Sequence, residues 1–232
     1  MENNAKKLLV EFIGTCIFFY IGAGAIITDK FSNGAVGLLG IAIAHGVILS
    51  IMISAFGSIS GGHFNPAVTF GVMVAKRISV PLGIQYMVAQ LVGGVLAGLL
   101  LHFSFSSELC TATHLGTPAV AAGVSLGTAV FIEALLTFFL VISVFGTAID
   151  PRAPKIGGFG IGLTVMVDIL VGGPLTGAAM NPARTFGPAV IAGFWDAHWV
   201  YWVGPLLGGG LAGFVYEKFI MLKVPQQAGE KK

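Results

Sequence analysis

The chain has 232 residues, of which only 9% are charged and 56% are hydrophobic, and its formal net charge is +2. A soluble domain carries about 25% charged residues, so this composition excludes an ordinary soluble fold and indicates lipid as the solvent. The small net charge gives no reason to expect a nucleic-acid partner. Two cysteines, Cys16 and Cys110, match no metal-ligand spacing and are too few for a disulfide framework, so we expect neither a metal nor another cofactor.

Six segments are predicted to be membrane-spanning helices, because a span needs about 20 mostly apolar residues. They are residues 7–28, 35–56, 80–103, 123–147, 156–171 and 198–222, the fifth being short and rich in glycine. Residues 65–75 and 181–194 form two shorter segments, each beginning at Asn-Pro. Asparagine is favoured at the N-cap of a helix and proline at its first position. Both segments are therefore predicted to be half-helices that begin inside the protein.

The basic residues predict the orientation. With six spans, ten of the twelve fall on one side, which the positive-inside rule makes cytoplasmic: Lys6, Lys7, Lys76, Arg77, Arg152, Lys155, Lys218, Lys223, Lys231 and Lys232. Only Lys30 and Arg184 do not lie on this side, and both termini are expected on the cytoplasmic side. The short tails and the absence of a targeting extension favour a prokaryotic plasma membrane.

The chain also contains an internal repeat. Residues 60–71 match residues 176–187, and Glu11 in the first span has a counterpart in Glu133 in the fourth. Each half, about 7–104 and 123–222, has three spans and one half-helix. Because three is odd, the halves must lie in the membrane with opposite orientations, as one channel domain of two inverted repeats. In such a plan the site forms near the midplane, where broken helices meet.

Two half-helices that enter from opposite faces place two N-termini at one point, each carrying roughly half a positive charge. This arrangement disfavours protons and cations. Asn65 and Asn181 are expected to cap these ends and to donate amide hydrogens into the lumen. A water molecule that accepts both bonds has its lone pairs occupied, so it does not readily relay a proton. The sequence thus predicts that water passes and charge does not.

The repeated boxes carry a family resemblance. Asn65-Pro66-Ala67 and Asn181-Pro182-Ala183, the second followed by Arg184, resemble the signature of the major intrinsic proteins, the aquaporin family. The resemblance covers about residues 8–220. It implies an all-α membrane protein of six tilted helices and two half-helices, assembled as a homotetramer with one pore in each subunit. Thr185, Ala189 and the pair Tyr201-Trp202 are similar to the water-conducting branch rather than to glycerol channels.

The resemblance also implies a selectivity filter, placed by counting from the boxes: His45, Ile169, Ala178 and Arg184. An arginine so near a half-helix start is costly in lipid unless it faces water. Strict water channels have phenylalanine and histidine at the first two positions, so this set is similar to the plant tonoplast type instead. A wider or less polar aperture adds ammonia, hydrogen peroxide and urea as expected co-substrates.

Several other polar residues have more than one interpretation. Glu11 and Glu133 fit a structural role, accepting hydrogen bonds from the loops before the half-helices, although buried acids also serve in proton coupling. His63 is either pore lining or packing near the cytoplasmic side. Asp168 is an acid inside a span that could orient a filter histidine or a loop. His114 either reaches the filter from the outer loop or is solvated.

The residues oppose three other functions. A secondary transporter also uses inverted repeats, but it needs titratable groups at the central site, where this chain has asparagine and proline. A glycerol or small-polyol facilitator is opposed by Thr185, Ala189 and the aromatic pair. An intramembrane enzyme needs a nucleophile–base pair or a metal cluster, and neither stands out. The sequence therefore predicts a passive water channel that is not an enzyme.

Overall fold

The computed structural model describes residues 2–222. Nine α-helices occupy this part of the chain: α1 (Glu2–Phe31), α2 (Gly37–Ser60), α3 (Pro66–Val74), α4 (Val80–Ser104), α5 (Ser107–Thr113), α6 (Leu126–Val144), α7 (Phe159–Thr176), α8 (Pro182–Ala192) and α9 (Val200–Val215). The helices α6 and α9 each continue through a π-helical turn, Phe145–Ile149 and Tyr216–Ile220. Lys223, Lys231 and Lys232, which contributed to the predicted orientation, lie outside the described residues.

The predicted spans correspond to α1, α2, α4, α6, α7 and α9, and the half-helices correspond to α3 and α8. Five of the spans are at least 18 residues long and strongly apolar. The sixth, α9 with its π turn, covers 21 residues and about 31 Å, which matches the hydrocarbon core of a bilayer. The all-α architecture of six spanning helices and two half-helices is confirmed, and the protein is an integral, multi-pass membrane protein.

The prediction for the fifth span was wrong at its C-terminal end. The sequence analysis ended it at residue 171, before Gly172-Gly173-Pro174, whereas α7 continues to Thr176 with Pro174 inside it. The helix ends at Gly177, which adopts φ 83° and whose N–H donates to the Gly173 carbonyl. Membrane helices tolerate such a proline because neighbouring groups satisfy the backbone. The small α5 in the outer loop was not predicted.

The two halves have the same packing plan. Helix α1 packs against α2 and α4, and α6 packs in the same way against α7 and α9. Each half-helix rests on the last span of the opposite half: α3 on α9, and α8 on α4. This exchange interlocks the halves around a common centre.

Glycines allow these close crossings. A Cβ atom at Gly93 in α4 would lie 2.4 Å from the Phe12 carbonyl of α1, and one at Gly208 in α9 would lie 1.9 Å from the Ala134 carbonyl of α6. Small residues at such crossings let helix backbones approach in a membrane. The outer surface is apolar, as lipid requires, with strongly exposed side chains that include Leu39, Phe103, Phe131, Val171, Leu207 and Leu211.

Candidate pore and selectivity filter

The loops that precede α3 and α8 meet at the centre of the molecule. Asn65 Oδ1 accepts the Ala67 N–H at 2.8 Å, and Asn181 Oδ1 accepts the Ala183 N–H at 3.1 Å, so each asparagine caps its own half-helix. The amide group of each asparagine also reaches across to the other loop. Asn65 Nδ2 donates to the Met180 carbonyl at 2.9 Å, and Asn181 Nδ2 donates to the Phe64 carbonyl at 3.0 Å.

This crossed pair refines the expectation that both amides donate into the lumen. An asparagine amide has two hydrogens, and the structure commits one of them to the opposite loop. The second hydrogen of each remains for the lumen, which both asparagines line. The crossed bonds also hold the two side chains in fixed orientation, so the donors need not reorganise when a solute arrives.

Two buried carboxylates hold the loops from behind. Glu11 accepts the N–H groups of His63 at 3.0 Å and Phe64 at 2.8 Å. Glu133 accepts those of Ala179 at 3.0 Å and Met180 at 2.7 Å. A non-helical loop at membrane depth needs partners for every polar group. The acids satisfy four loop N–H groups and the asparagine amides satisfy two loop carbonyls, so these groups have protein partners at membrane depth.

A further shell of hydroxyl groups supports each acid and was not predicted. Ser60 Oγ donates to Glu11 at 2.7 Å, and Thr176 Oγ1 donates to Glu133 at 2.6 Å. The backbone carbonyls of the same two residues accept bonds from tyrosines of the last span in each half, Tyr86 at 2.9 Å and Tyr201 at 2.8 Å. Only the first half adds a glutamine, Gln90, whose Nε2 lies 2.8 Å from Glu11. Ser60 and Thr176 occupy matching places in the repeat, which was the available signal.

The four residues expected to form the filter come together. His45, Ile169, Ala178 and Arg184 are all buried, and all line one cavity. Arg184 Nε donates to His45 Nε2 at 3.4 Å, and His45 Nδ1 lies 2.9 Å from the Ile41 carbonyl of its own helix. Arg184 Nη1 is buried with no hydrogen-bond partner in the described part of the chain. A buried guanidinium nitrogen needs an acceptor, and a solute in the filter would supply one.

The remaining polar residues divide between the cavity and its surroundings. His63 lines the cavity, with Nδ1 3.1 Å from Thr69 Oγ1 and its ring against Tyr86. His114 lies outside the cavity lining, stacked on Phe194 with ring centroids 4.0 Å apart. Asp168 is buried, and its Oδ2 has no partner among the described residues, so it orients neither a histidine nor a loop through that atom.

The cavity has a volume of about 920 Å³ and extends from the end of the bundle that carries Lys7 and Arg77 to Arg184. Apolar side chains such as Ile161 and Val165 line it together with the polar asparagines and histidines. Among the described residues that line it, Asp150 is the only carboxylate, and that carboxylate is bound to Arg152. Two helix N-termini without a central acid make this lumen unfavourable for cations.

Comparisons with known proteins agree with this geometry. The family model described as major intrinsic protein matches residues 1–216. Aquaporin TIP4-4 of Zea mays is 45% identical over 224 residues, which cover 93% of this chain and 87% of that protein. Aquaporin TIP2-1 of Arabidopsis thaliana is also 45% identical over 224 residues, with 93% and 88% covered.

A solved structure shares the fold. The X-ray structure of the aquaglyceroporin from Plasmodium falciparum superposes with a TM-score of 0.86 at 22% identity, covering 94% of this chain and 97% of that chain. At this identity the likeness concerns the fold alone. The match to the family model extends over nearly the whole chain, as do the matches to relatives at 45% identity. This chain belongs to the major intrinsic protein family.

Proposed function

We propose that this protein is a passive channel that conducts water across a membrane and excludes protons and ions. The observation that carries the proposal is the crossed pair of asparagines at the meeting point of two half-helices. The similar proteins from Zea mays and Arabidopsis thaliana are named aquaporins, in keeping with a channel rather than an enzyme.

The exclusion of protons rests on two features of the centre. The N-termini of α3 and α8 place partial positive charges there, which oppose an entering cation. The lumenal amide hydrogens of Asn65 and Asn181 bind the oxygen of a passing water and occupy its lone pairs. That water cannot accept a proton from its neighbour, so the proton relay stops while water moves. A barrier of this kind belongs to the established physics of aquaporin-type pores.

The filter determines which neutral solutes accompany water. Arg184 offers Nη1 as a donor, and Ile169 offers an apolar wall where an imidazole would add bulk and a second donor. We propose that this aperture also passes ammonia and other small neutral solutes. The glycerol alternative is less favoured, because Tyr201, one of its opposing marks, is fully buried and supports the Thr176 loop.

We also propose a domain organisation, an assembly and an orientation for this channel. The domain is a single channel unit of two inverted repeats, about residues 7–104 and 123–222, supported by the exchange of half-helices between the halves. Four chains form a homotetramer in the bilayer, as the family resemblance implies. Both termini face the cytoplasm, supported by the clustering of Lys7, Arg77 and Lys155 at one mouth of the cavity.

The expected prokaryotic plasma membrane receives no support from the comparisons. The similar proteins named above are plant proteins. Short tails say nothing about the organism, because a compact channel needs no extension in any membrane.

Proteoliposomes that contain the purified full-length protein test the function. Stopped-flow light scattering would record osmotic shrinkage, and an internal pH dye would record ammonia entry and proton leakage in the same vesicles. We expect fast shrinkage, accelerated alkalinisation by ammonia, and no proton leakage above that of empty liposomes. Arg184→Ala is the variant to compare, because it removes the guanidinium, whose Nη1 has no partner among residues 2–222, and leaves the asparagines unchanged. Shrinkage no faster than in empty liposomes, with the protein correctly assembled, would reject the water channel.

A further inference from the structure

A second cavity, outside the pore, lies where the end of α3 meets the end of α9. Its volume is about 590 Å³, and it is formed by the last turn of the half-helix and the π turn that closes the chain's final span. Its lining combines apolar residues, basic residues and one acid: Val74, Ala75, Phe214, Lys76, Arg77, Lys218 and Glu217. The cavity is thus at the end of the bundle that carries the excess of basic residues.

The charges in this second cavity are only partly neutralised. Arg77 forms a two-pronged ion pair with Glu217, with Nε–Oε2 and Nη2–Oε1 distances of 2.8 and 2.9 Å. Neither Lys76 nor Lys218 has a carboxylate within ion-pair distance among residues 2–222. Both lysines are exposed. The ion pair fixes the wall of the cavity, and the two lysines leave it with a net positive charge.

The rim on the α9 side is aromatic and faces outward. Lys218 Nζ lies 5.2 Å from the ring centroid of Phe214 and 5.5 Å from that of Phe219. These rings are 46% and 69% exposed. In a spanning helix such rings contact acyl chains, so the cavity lies at the boundary between the hydrocarbon and the headgroups.

The position of each lysine has a simpler explanation, which covers only part of this arrangement. A cation near a helix C-terminus stabilises the helix dipole, and this applies to Lys76 after α3 and to Lys218 in the last turn of the final span. It does not explain why a lysine that follows α3 and a lysine at the end of the last span line one cavity beside two outward-facing rings. A ligand with an anionic head and apolar chains would use all of these features.

We propose that this cavity binds an anionic phospholipid, with its phosphate group between Lys76 and Lys218 and an acyl chain along Phe214 and Phe219. Basic pockets between membrane helices on the cytoplasmic side bind anionic headgroups. A free phosphate would leave the aromatic rim unused. A zwitterionic lipid would bring its own ammonium group against two lysines. The cytoplasmic leaflet follows from the proposed orientation, whereas the site itself does not depend on which solute the pore conducts.

Native mass spectrometry of the delipidated full-length protein tests this site. Phosphatidylglycerol and phosphatidylcholine with identical chains would be titrated separately. We expect the wild type to prefer phosphatidylglycerol, and Lys76→Gln with Lys218→Gln to weaken its binding roughly thirtyfold, since each lysine near the surface contributes about a fivefold attraction. The matched control is Lys155→Gln, which removes an exposed lysine at the same end of the bundle but outside this cavity, and it should retain the preference.

The single lysine variants and their water permeability provide two further tests of this site. The single variants Lys76→Gln and Lys218→Gln should each lose about fivefold, which gives a result even if the double variant folds poorly. Osmotic water permeability of the variants should stay at the wild-type level, because neither lysine lines the pore. The proposal fails if the double variant binds phosphatidylglycerol as the wild type does, or if the control loses as much. It also fails if soluble glycerol phosphate displaces the lipid at equal concentration.

Discussion

Arg184 and His45 are joined by a hydrogen bond in which the guanidinium Nε donates to the imidazole Nε2 at 3.4 Å. The other ring nitrogen, Nδ1, lies 2.9 Å from the Ile41 carbonyl and must carry the hydrogen to bind it. This geometry assigns a neutral imidazole with Nδ1 protonated. His45 therefore accepts the Arg184 Nε–H and orients the arginine, whose Nη1 has no partner among residues 2–222.

Replacement of Ile169 by histidine should make the filter more selective. Ile169 is an apolar residue of the proposed filter that lines the cavity, and an imidazole there would reach further into the lumen and add a donor. We expect Ile169→His to lower ammonia permeability by roughly tenfold or more while water permeability changes less, since shape discrimination at such a site is worth about 10- to 200-fold. The control is Ile169→Leu, which keeps size and polarity. An unchanged ratio of ammonia to water in both variants would remove Ile169 from the filter.

Loss of the charge on Glu133 should destabilise the fold without affecting the filter residues directly. Its carboxylate accepts bonds from Thr176, Ala179 and Met180, and a glutamine would turn an N–H group toward donors. Hydrogen bonds to a charged group contribute about 1.5–3 kcal/mol each, so Glu133→Gln should cost at least about 2 kcal/mol. Thermal unfolding of the detergent-solubilised protein would show a lower midpoint. Glu108→Gln, on the exposed α5, should leave it nearly unchanged.

Much of the fold could be predicted because the helices and their first residues depend on short stretches of sequence. The apolar segments had to be helices in a bilayer, and Asn-Pro at residues 65–66 and 181–182 marked two helix starts that the structure has at Pro66 and Pro182. The fifth span was the exception, since Gly172, Gly173 and Pro174 normally end a helix. Here the Thr176 carbonyl accepts a bond from Tyr201, a tertiary contact that no local pattern reveals.

The sequence predicted which residues lie together at the candidate site, but not the hydrogen bonds that connect them. Counting from the two Asn-Pro-Ala boxes predicted that His45 and Arg184 lie close together, although they are 139 residues apart in the chain. Asn65 donates to the Met180 carbonyl and Asn181 donates to the Phe64 carbonyl. The backbone of Phe64 has φ 47° and that of Met180 has φ 51°. Residues other than glycine rarely adopt positive φ angles, and the residue type at these positions does not predict them. They persist because Glu11 and Glu133 hold the neighbouring N–H groups.

A methyl group at Gly187 should prevent α8 from docking on α4. A Cβ at this position would lie 2.2 Å from the carbonyl carbon of Gly94 and 2.3 Å from its oxygen. Backbone atoms cannot move aside as a flexible side chain can, so Gly187→Ala should cost about 1–3 kcal/mol or more. Size-exclusion chromatography of the solubilised protein should show less folded material, and a thermal unfolding measurement should show a lower midpoint.

The matched control for that substitution lies in α6. A Cβ at Gly127 would meet only the Ser125 hydroxyl, 4.0 Å away. Alanine has the higher helix propensity, so Gly127→Ala should be neutral or stabilising by up to about 1 kcal/mol. If both alanine variants behaved alike, close packing of α8 on α4 would not be what Gly187 provides.

The ion pair between Asp150 and Arg152 should give a stability that withstands mild acid. Arg152 donates to Asp150 through Nε at 2.9 Å and Nη2 at 2.5 Å, and its backbone N–H adds a bond at 2.8 Å. The Arg152 guanidinium, followed by this N–H and by the Tyr216 hydroxyl, holds the pKa of Asp150 well below its usual range. Arg152 also donates to the Ile220 carbonyl, so the pair ties the loop after α6 to the end of α9.

The sign of the pH dependence follows from that lowered pKa. A carboxylate whose pKa is lower in the folded state contributes stability that is complete above its unfolded pKa, about 3.9, and is lost as the pH falls toward the folded value. The difference in unfolding midpoint between the wild type and Asp150→Asn should therefore be constant from about pH 8 to pH 5 and shrink only below about pH 4. The control is Asp196→Asn, which removes the charge of an exposed aspartate. A difference that already shrinks between pH 7 and pH 5 would mean that Arg152 does not hold Asp150 ionised, and that another contact ties the loop to α9.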